Sequence, residues 1–288
     1  MNWVFLTASV FLATGRNLLS KRISAQAFGT VGFFRLQGWI FGIGALVLLV
    51  PAVVTSDGIA LSTIGYALLY GLLLVGAQWC YTVALSYGNT SVCATVYSLG
   101  FILPTLSGMV FWGESVTFWK ILGIAAVFPA LILSGRKKET GQARGFCYII
   151  PLAAAMICSG GLGILQKIQQ SSSYPQQRTV FVCVAFVFAA LLSFLCGSFC
   201  NSAEKATVSS FFAASGVGGC FALCNLLNTF LAGRMESAVF FPCLNVGTIL
   251  FSCVLSLLLL REKLSGRHVA VLAFGTVSIL LISLPSGA

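Results

Sequence analysis

Apolar residues run through this chain in ten long stretches separated by short polar connections, and the pattern predicts ten helices. The expected spans are 2–20, 31–54, 61–86, 90–112 and 117–133 in the first half, then 146–168, 179–199, 209–231, 237–260 and 266–284 in the second. About 20 mostly apolar residues are needed to cross about 30 Å of hydrocarbon, so the stretches have the length of membrane spans. Ten of them with short connections use up all 288 residues and leave no room for a separate soluble domain. Two connections are notably polar. Residues 134–145 carry Arg136, Lys137, Lys138, Glu139 and Arg144, the composition of a linker. Residues 169–177 are rich in Gln and Ser, contain Pro175 and show no helical pattern. The first stretch has the wrong flanks for a secretory signal: uncharged Met1-Asn2 precedes it and basic Lys21-Arg22 follows, so it is expected to stay as the first membrane helix.

The last three stretches repeat the third to fifth at a constant offset of 148 residues. Gly113-Glu114-Ser115 precedes Phe118-Trp119-Lys120, and Arg261-Glu262-Lys263 precedes Gly266-Arg267-His268, so that Glu114 and Glu262 superpose. A second echo aligns Gly15 to Lys21, closing the first helix, with Gly161 to Lys167, closing the sixth. Apolar helices also resemble one another by composition alone, which makes the Glu-bearing turn the stronger match. A five-helix unit crosses a bilayer an odd number of times, so its second copy must enter from the other face. The predicted fold is an all-α integral membrane protein: ten transmembrane helices as two inverted five-helix repeats, 1–135 and 146–288, joined by a basic linker at 136–145.

Composition supports a membrane location. The chain is 58% hydrophobic and only 8% charged, with a mean hydropathy of +1.00, whereas a soluble domain is typically about 25% charged. The net charge of +10 resides in connections, where the cytoplasmic bias of basic loops accounts for it without nucleic acid. Most of the eleven Cys residues fall inside apolar runs and read as small packing residues. Cys196 with Cys200, and Cys220 with Cys224, are spaced for one helical face, and one His is too few ligands for a metal site. No cofactor is expected.

These marks resemble the drug/metabolite transporter superfamily, specifically its ten-helix EamA-type members built from two EamA units. The resemblance rests on the Gly113-Glu114 turn, its partner Arg261-Glu262, the Gly- and Lys-bearing ends of the first and sixth helices, and Phe34-Arg35 opening the second. Arg261 departs from the pattern, which has Gly there. The resemblance implies an alternating-access carrier of small metabolites in contact with the lipid bilayer, with a central cavity between its halves.

Polar side chains near the middle of a span are costly unless paired or lining water, so they are the candidates for substrate binding. They are Gln78, Trp79 and Tyr81 on the third helix, Tyr97 and Ser98 on the fourth, Asn225 and Asn228 on the eighth, and Asn245 on the ninth. Tyr97 and Asn245 are related by the 148-residue offset and head the group. The competing reading is that they tie helices together by hydrogen bonds worth about 0.6 kcal/mol each. Pro104 and Pro242 interrupt the fourth and ninth helices and read as kinks or as sources of free carbonyls. All six carboxylates fall in loops or at helix ends, which argues against proton-coupled extrusion of cations. Arg16 and Lys21 at the end of the first helix, and Lys167 at the end of the sixth, could attract an anion or snorkel to the interface. A neutral, zwitterionic or weakly anionic metabolite fits this inventory.

The alternatives are a non-transporting scaffold or helper subunit and a membrane-embedded transferase. The latter lacks converging acid, base or nucleophile groups, His268 lying alone near a helix start. A monomer or homodimer in a bacterial cytoplasmic membrane is expected. Twelve basic residues fall on one face and four on the other, which places both termini outside, whereas the resemblance implies that they lie inside.

Overall fold

The computed structural model describes residues 2–24, 30–55, 58–87, 93, 96–114, 117–135, 149–198, 208–259 and 266–283. Among these, regular structure is entirely helical. The helices are α1 (Asn2–Ser24), α2 (Thr30–Thr55), α3 (Leu61–Tyr87), α4 (Ile102–Trp112), α5 (Phe118–Gly135), α6 (Ile149–Ser171), α7 (Arg178–Ser198), α8 (Val208–Ala232), α9 (Ser237–Leu259) and α10 (Gly266–Ser283). In hydrocarbon every backbone N–H and C=O must be paired internally, so long apolar runs have no stable alternative to the helix. Five stretches are long and apolar enough to cross a membrane: Gly32–Thr55, Leu61–Ser86, Ile149–Ser171, Pro175–Ser198 and Phe211–Ala232. Val96–Trp112, Phe118–Pro129, Ser237–Ser252 and Ala273–Ile282 are shorter apolar helices. Large apolar side chains such as Val4, Phe11, Leu46, Val50, Val54, Leu191 and Phe212 are exposed, as a surface solvated by lipid requires.

Helix ends differ from expectation where polar residues happen to be good helix formers. Helix α1 runs on to Ser24, so Arg16 and Lys21 lie within it rather than at its end. Helix α6 continues to Ser171 and takes in Gln169 and Gln170, while Pro175–Gln177 forms a short 3-10 turn, so the 169–177 connection is largely helical after all. Lys167 is accordingly four residues short of the end of its helix. A 3-10 turn, Leu99–Phe101, precedes α4. The expected linker at 136–145 and the Arg261-Glu262 turn lie outside the described residues.

The chain divides into two compact units, Trp3–Val75 with Leu165–Gly233 and Gly76–Ile164 with Arg234–Ala288. Each draws helices from both sequence halves. In the first unit, glycines let backbones approach: a Cβ on Gly218 would fall 2.4 Å from the carbonyl oxygen of Ile40. Gly44 faces the same crossing of α2 with α8. Phe41, Phe186 and Phe221 pack there with ring centroids 5.5–6.0 Å apart. The second unit repeats the device with different partners. A Cβ on Gly160 of α6 would lie 2.7 Å from the Gly100 carbonyl oxygen. Ser278 of α10 donates to the Gly123 carbonyl of α5 at 2.8 Å.

Candidate functional site

In the second unit the Gly113-Glu114 turn has a definite job. Gly113 closes α4 in the left-handed conformation, φ 62°, that favours glycine. The N–H of Glu114 returns to the Gly108 carbonyl at 3.2 Å. This turn aims the Glu114 carboxylate at the start of α9. It accepts the Ser237 N–H at 2.6 Å and the Ser237 hydroxyl at 3.1 Å. An anion is favourable at a helix N-terminus, where the first N–H groups have no partner within the helix. Beside it, the ammonium of buried Lys120 on α5 pairs with Glu236, the residue preceding α9. Turn, α5 and the start of α9 are thereby latched together by two carboxylates.

Five of the expected binding residues belong to this same unit and are half-buried: Gln78, Trp79, Tyr81, Tyr97 and Ser98, with Asn245 as the sixth. Tyr81 and Tyr97 pack ring to ring, centroids 4.7 Å apart at 43°. Asn245 donates to the Phe241 carbonyl of its own helix at 3.0 Å, which leaves its Oδ1 available to accept. Neither the Gln78 amide nor the Ser98 hydroxyl has a hydrogen-bond partner among the described residues, and the Tyr81 hydroxyl has none. Unmade hydrogen bonds in hydrocarbon are expensive. Half-exposed groups with unspent capacity inside apolar helices are therefore suited to water or ligand.

Asn225 and Asn228 lie in the first unit and are already engaged. Asn225 Oδ1 accepts from the hydroxyl of fully buried Tyr70 at 2.6 Å, and the Tyr70 hydroxyl oxygen accepts from Gln166 Nε2 at 2.8 Å. Its Nδ2 donates to the Phe221 carbonyl at 2.8 Å. Asn228 accepts from Ser9 of α1 and donates to Cys224 Sγ at 3.6 Å. Both amide oxygens take bonds from neighbouring helices, while both amide nitrogens donate within α8. Tyr70, Gln166 and Ser9 were not among the expected polar residues, although each interrupts an apolar run. Gln177 is a further tie: its Oε1 accepts from Thr63 at 2.8 Å and from the Ala60 N–H at 3.1 Å.

One charge of the first unit lies well inside a helix. Arg16 is half-buried on α1, its guanidinium carbon 4.7 Å from the centroid of the Phe221 ring, and it donates to Asn17 Oδ1 at 3.2 Å. A charge held among apolar groups is costly unless it finds a partner. Stacking on an aromatic face recovers part of that.

The all-helical, apolar architecture has counterparts among known proteins. Residues 2–136 match the model of the EamA-like transporter family. That family belongs to the drug/metabolite transporter superfamily, whose members are membrane transporters. A solved crystal structure shares the chain's fold with a TM-score of 0.81 at 16% identity, over 97% of this chain and 95% of that one. No curated protein sequence matches it.

Proposed function

We propose that this protein is a secondary transporter moving a small neutral, zwitterionic or weakly anionic metabolite by alternating access between two inverted repeats, 1–135 and 146–288. The observation that carries the reading is the group of half-buried polar side chains in the second unit, Gln78, Ser98, Tyr81 and Asn245, whose hydrogen-bonding capacity is unspent. Amide and hydroxyl groups of this kind can donate to a carboxylate or carbonyl and accept from an ammonium or hydroxyl. The Tyr81–Tyr97 ring pair offers an apolar face beside them. Both described carboxylates, Glu114 and Glu236, stand outside the helices and are taken up by Ser237 and Lys120. That leaves no described acidic group poised to exchange a cation for protons.

Ligands that bind the folded state raise its melting temperature by mass action. A thermal-shift screen of the detergent-purified protein against amino acids, nucleosides, sugars, polyamines and organic acids is the test, repeated with Gln78→Ala and Asn245→Ala. One chemical class should stabilise the wild type. Each variant, still folded, should require at least about tenfold more ligand, the 1.4 kcal/mol cost of a lost polar contact. Stabilisation unchanged in both variants would remove these residues from the site.

A further inference from the structure

We infer that Arg16 is the core of an anion-binding site within the first compact unit, taking a carboxylate or phosphate group. This stands apart from the residues of the second unit and does not rest on their role. The reasoning begins with position. Arg16 is eight residues before the end of α1, and at 1.5 Å per residue that is about 12 Å of helix. The direction of its side chain is set by Phe221, over whose ring the guanidinium lies. Phe221 is the fourteenth of the 25 residues of α8 and packs with Phe41 and Phe186, which lie near the middles of α2 and α7. A snorkelling arginine reaches along its own helix to the interface, whereas this one is laid sideways onto an aromatic cluster at mid-helix.

Charge balance is the second observation. No carboxylate meets Arg16 among the described residues: its protein partners there are the Phe221 ring and Asn17 Oδ1. Both hydrogen bonds, from Nε at 3.4 Å and from one terminal nitrogen at 3.2 Å, converge on that single oxygen. A guanidinium has five N–H donors in a planar fork, so most of its capacity is left over. Asn17 takes up the Nε side of the fork, and the remaining N–H groups can still hold a carboxylate or phosphate through two parallel bonds. The residue is half-buried, so part of it is open to its surroundings. A permanent, half-buried charge with most of its N–H groups unspent is matched by an anionic group.

That group could come from a free metabolite or from a lipid headgroup, and the experiment separates the two. Purified wild type, Arg16→Gln and Arg16→Lys are titrated in neutral detergent with succinate, inorganic phosphate, short-chain phosphatidylglycerol and, as a neutral control, short-chain phosphatidylcholine, at constant ionic strength. Thermal unfolding is the readout. A saturable shift with succinate or phosphate that is at least tenfold weaker in Arg16→Gln identifies a site for free anions. The same loss confined to phosphatidylglycerol identifies a headgroup site. Arg16→Lys keeps the charge and so guards against a folding defect: its affinity should fall severalfold, because an ammonium cannot reproduce the fork. Equal titrations in the wild type and Arg16→Lys, or no saturable shift with any anion, would overturn the assignment.

Discussion

Removing the Glu114 carboxylate should destabilise the second unit by an amount that its contacts fix. In Glu114→Ala, the start of α9 loses the acceptor of the Ser237 N–H, 2.6 Å away, and the acceptor of the Ser237 hydroxyl, 3.1 Å away. Hydrogen bonds to a charged group contribute about 1.5–3 kcal/mol. Favourable placement of an anion at a helix N-terminus contributes about 0.3–1 kcal/mol. Because both describe the same charge they are not summed, and the expected loss is about 2–3 kcal/mol, or roughly 30- to 150-fold in the unfolding equilibrium. Ser237→Ala removes only the hydroxyl bond and should cost about 1 kcal/mol. The double variant should show a coupling of that size and no more, since the backbone N–H survives in Ser237→Ala. The assay is reversible unfolding in mixed micelles of neutral detergent and dodecyl sulfate, followed by tryptophan fluorescence. A loss below about 0.5 kcal/mol in Glu114→Ala, the range of ordinary surface substitutions, would refute the latch.

Other substitutions probe separate contacts. Gly218→Ala should cost about 1–3 kcal/mol because its Cβ would sit 2.4 Å from the backbone oxygen of Ile40, whereas at Gly219, where nothing lies within 4 Å, the same change should gain up to about 1 kcal/mol of helix propensity. Unfolding curves of the two adjacent variants make the comparison. Glu236→Ala should destabilise more than Lys120→Met, since it leaves a buried ammonium without its carboxylate while the reverse leaves a partly exposed carboxylate; equal losses would contradict that. Tyr70→Phe should cost about 1–3 kcal/mol by depriving both Asn225 and Gln166 of a buried partner. It should leave the ligand affinity of the folded protein unchanged, which a thermal-shift titration checks.

The helices were readable in the sequence because a membrane makes hydrophobicity and helicity coincide: Gly32–Thr55 and Phe211–Ala232 are apolar almost throughout. Where the two diverge, reading fell short. Lys21 and Arg22 end the apolar run but not α1, and Gln169 and Gln170 continue α6, because long polar side chains favour helix as much as most apolar ones do. Asn225 and Asn245 look alike as isolated polar residues in apolar runs. What separates them is whether a partner 155 positions away, Tyr70, arrives to saturate the amide, and that depends on packing. The Lys120–Glu236 pair spans 116 positions and is equally invisible to local pattern. The Gly113-Glu114 turn was conspicuous, since a positive φ after a helix selects glycine, but its target on α9 was not.

The reading of the protein as a transporter is tested most directly by counterflow in vesicles holding this protein alone. Vesicles preloaded with the stabilising metabolite from the thermal screen and diluted into its radiolabelled form should take up label saturably and transiently. Uptake at low substrate concentration should fall at least about tenfold in Asn245→Ala, matching its loss of binding. Label accumulation no greater than in protein-free vesicles, with a ligand that demonstrably binds, would contradict carriage and leave a binding or scaffold protein in its place.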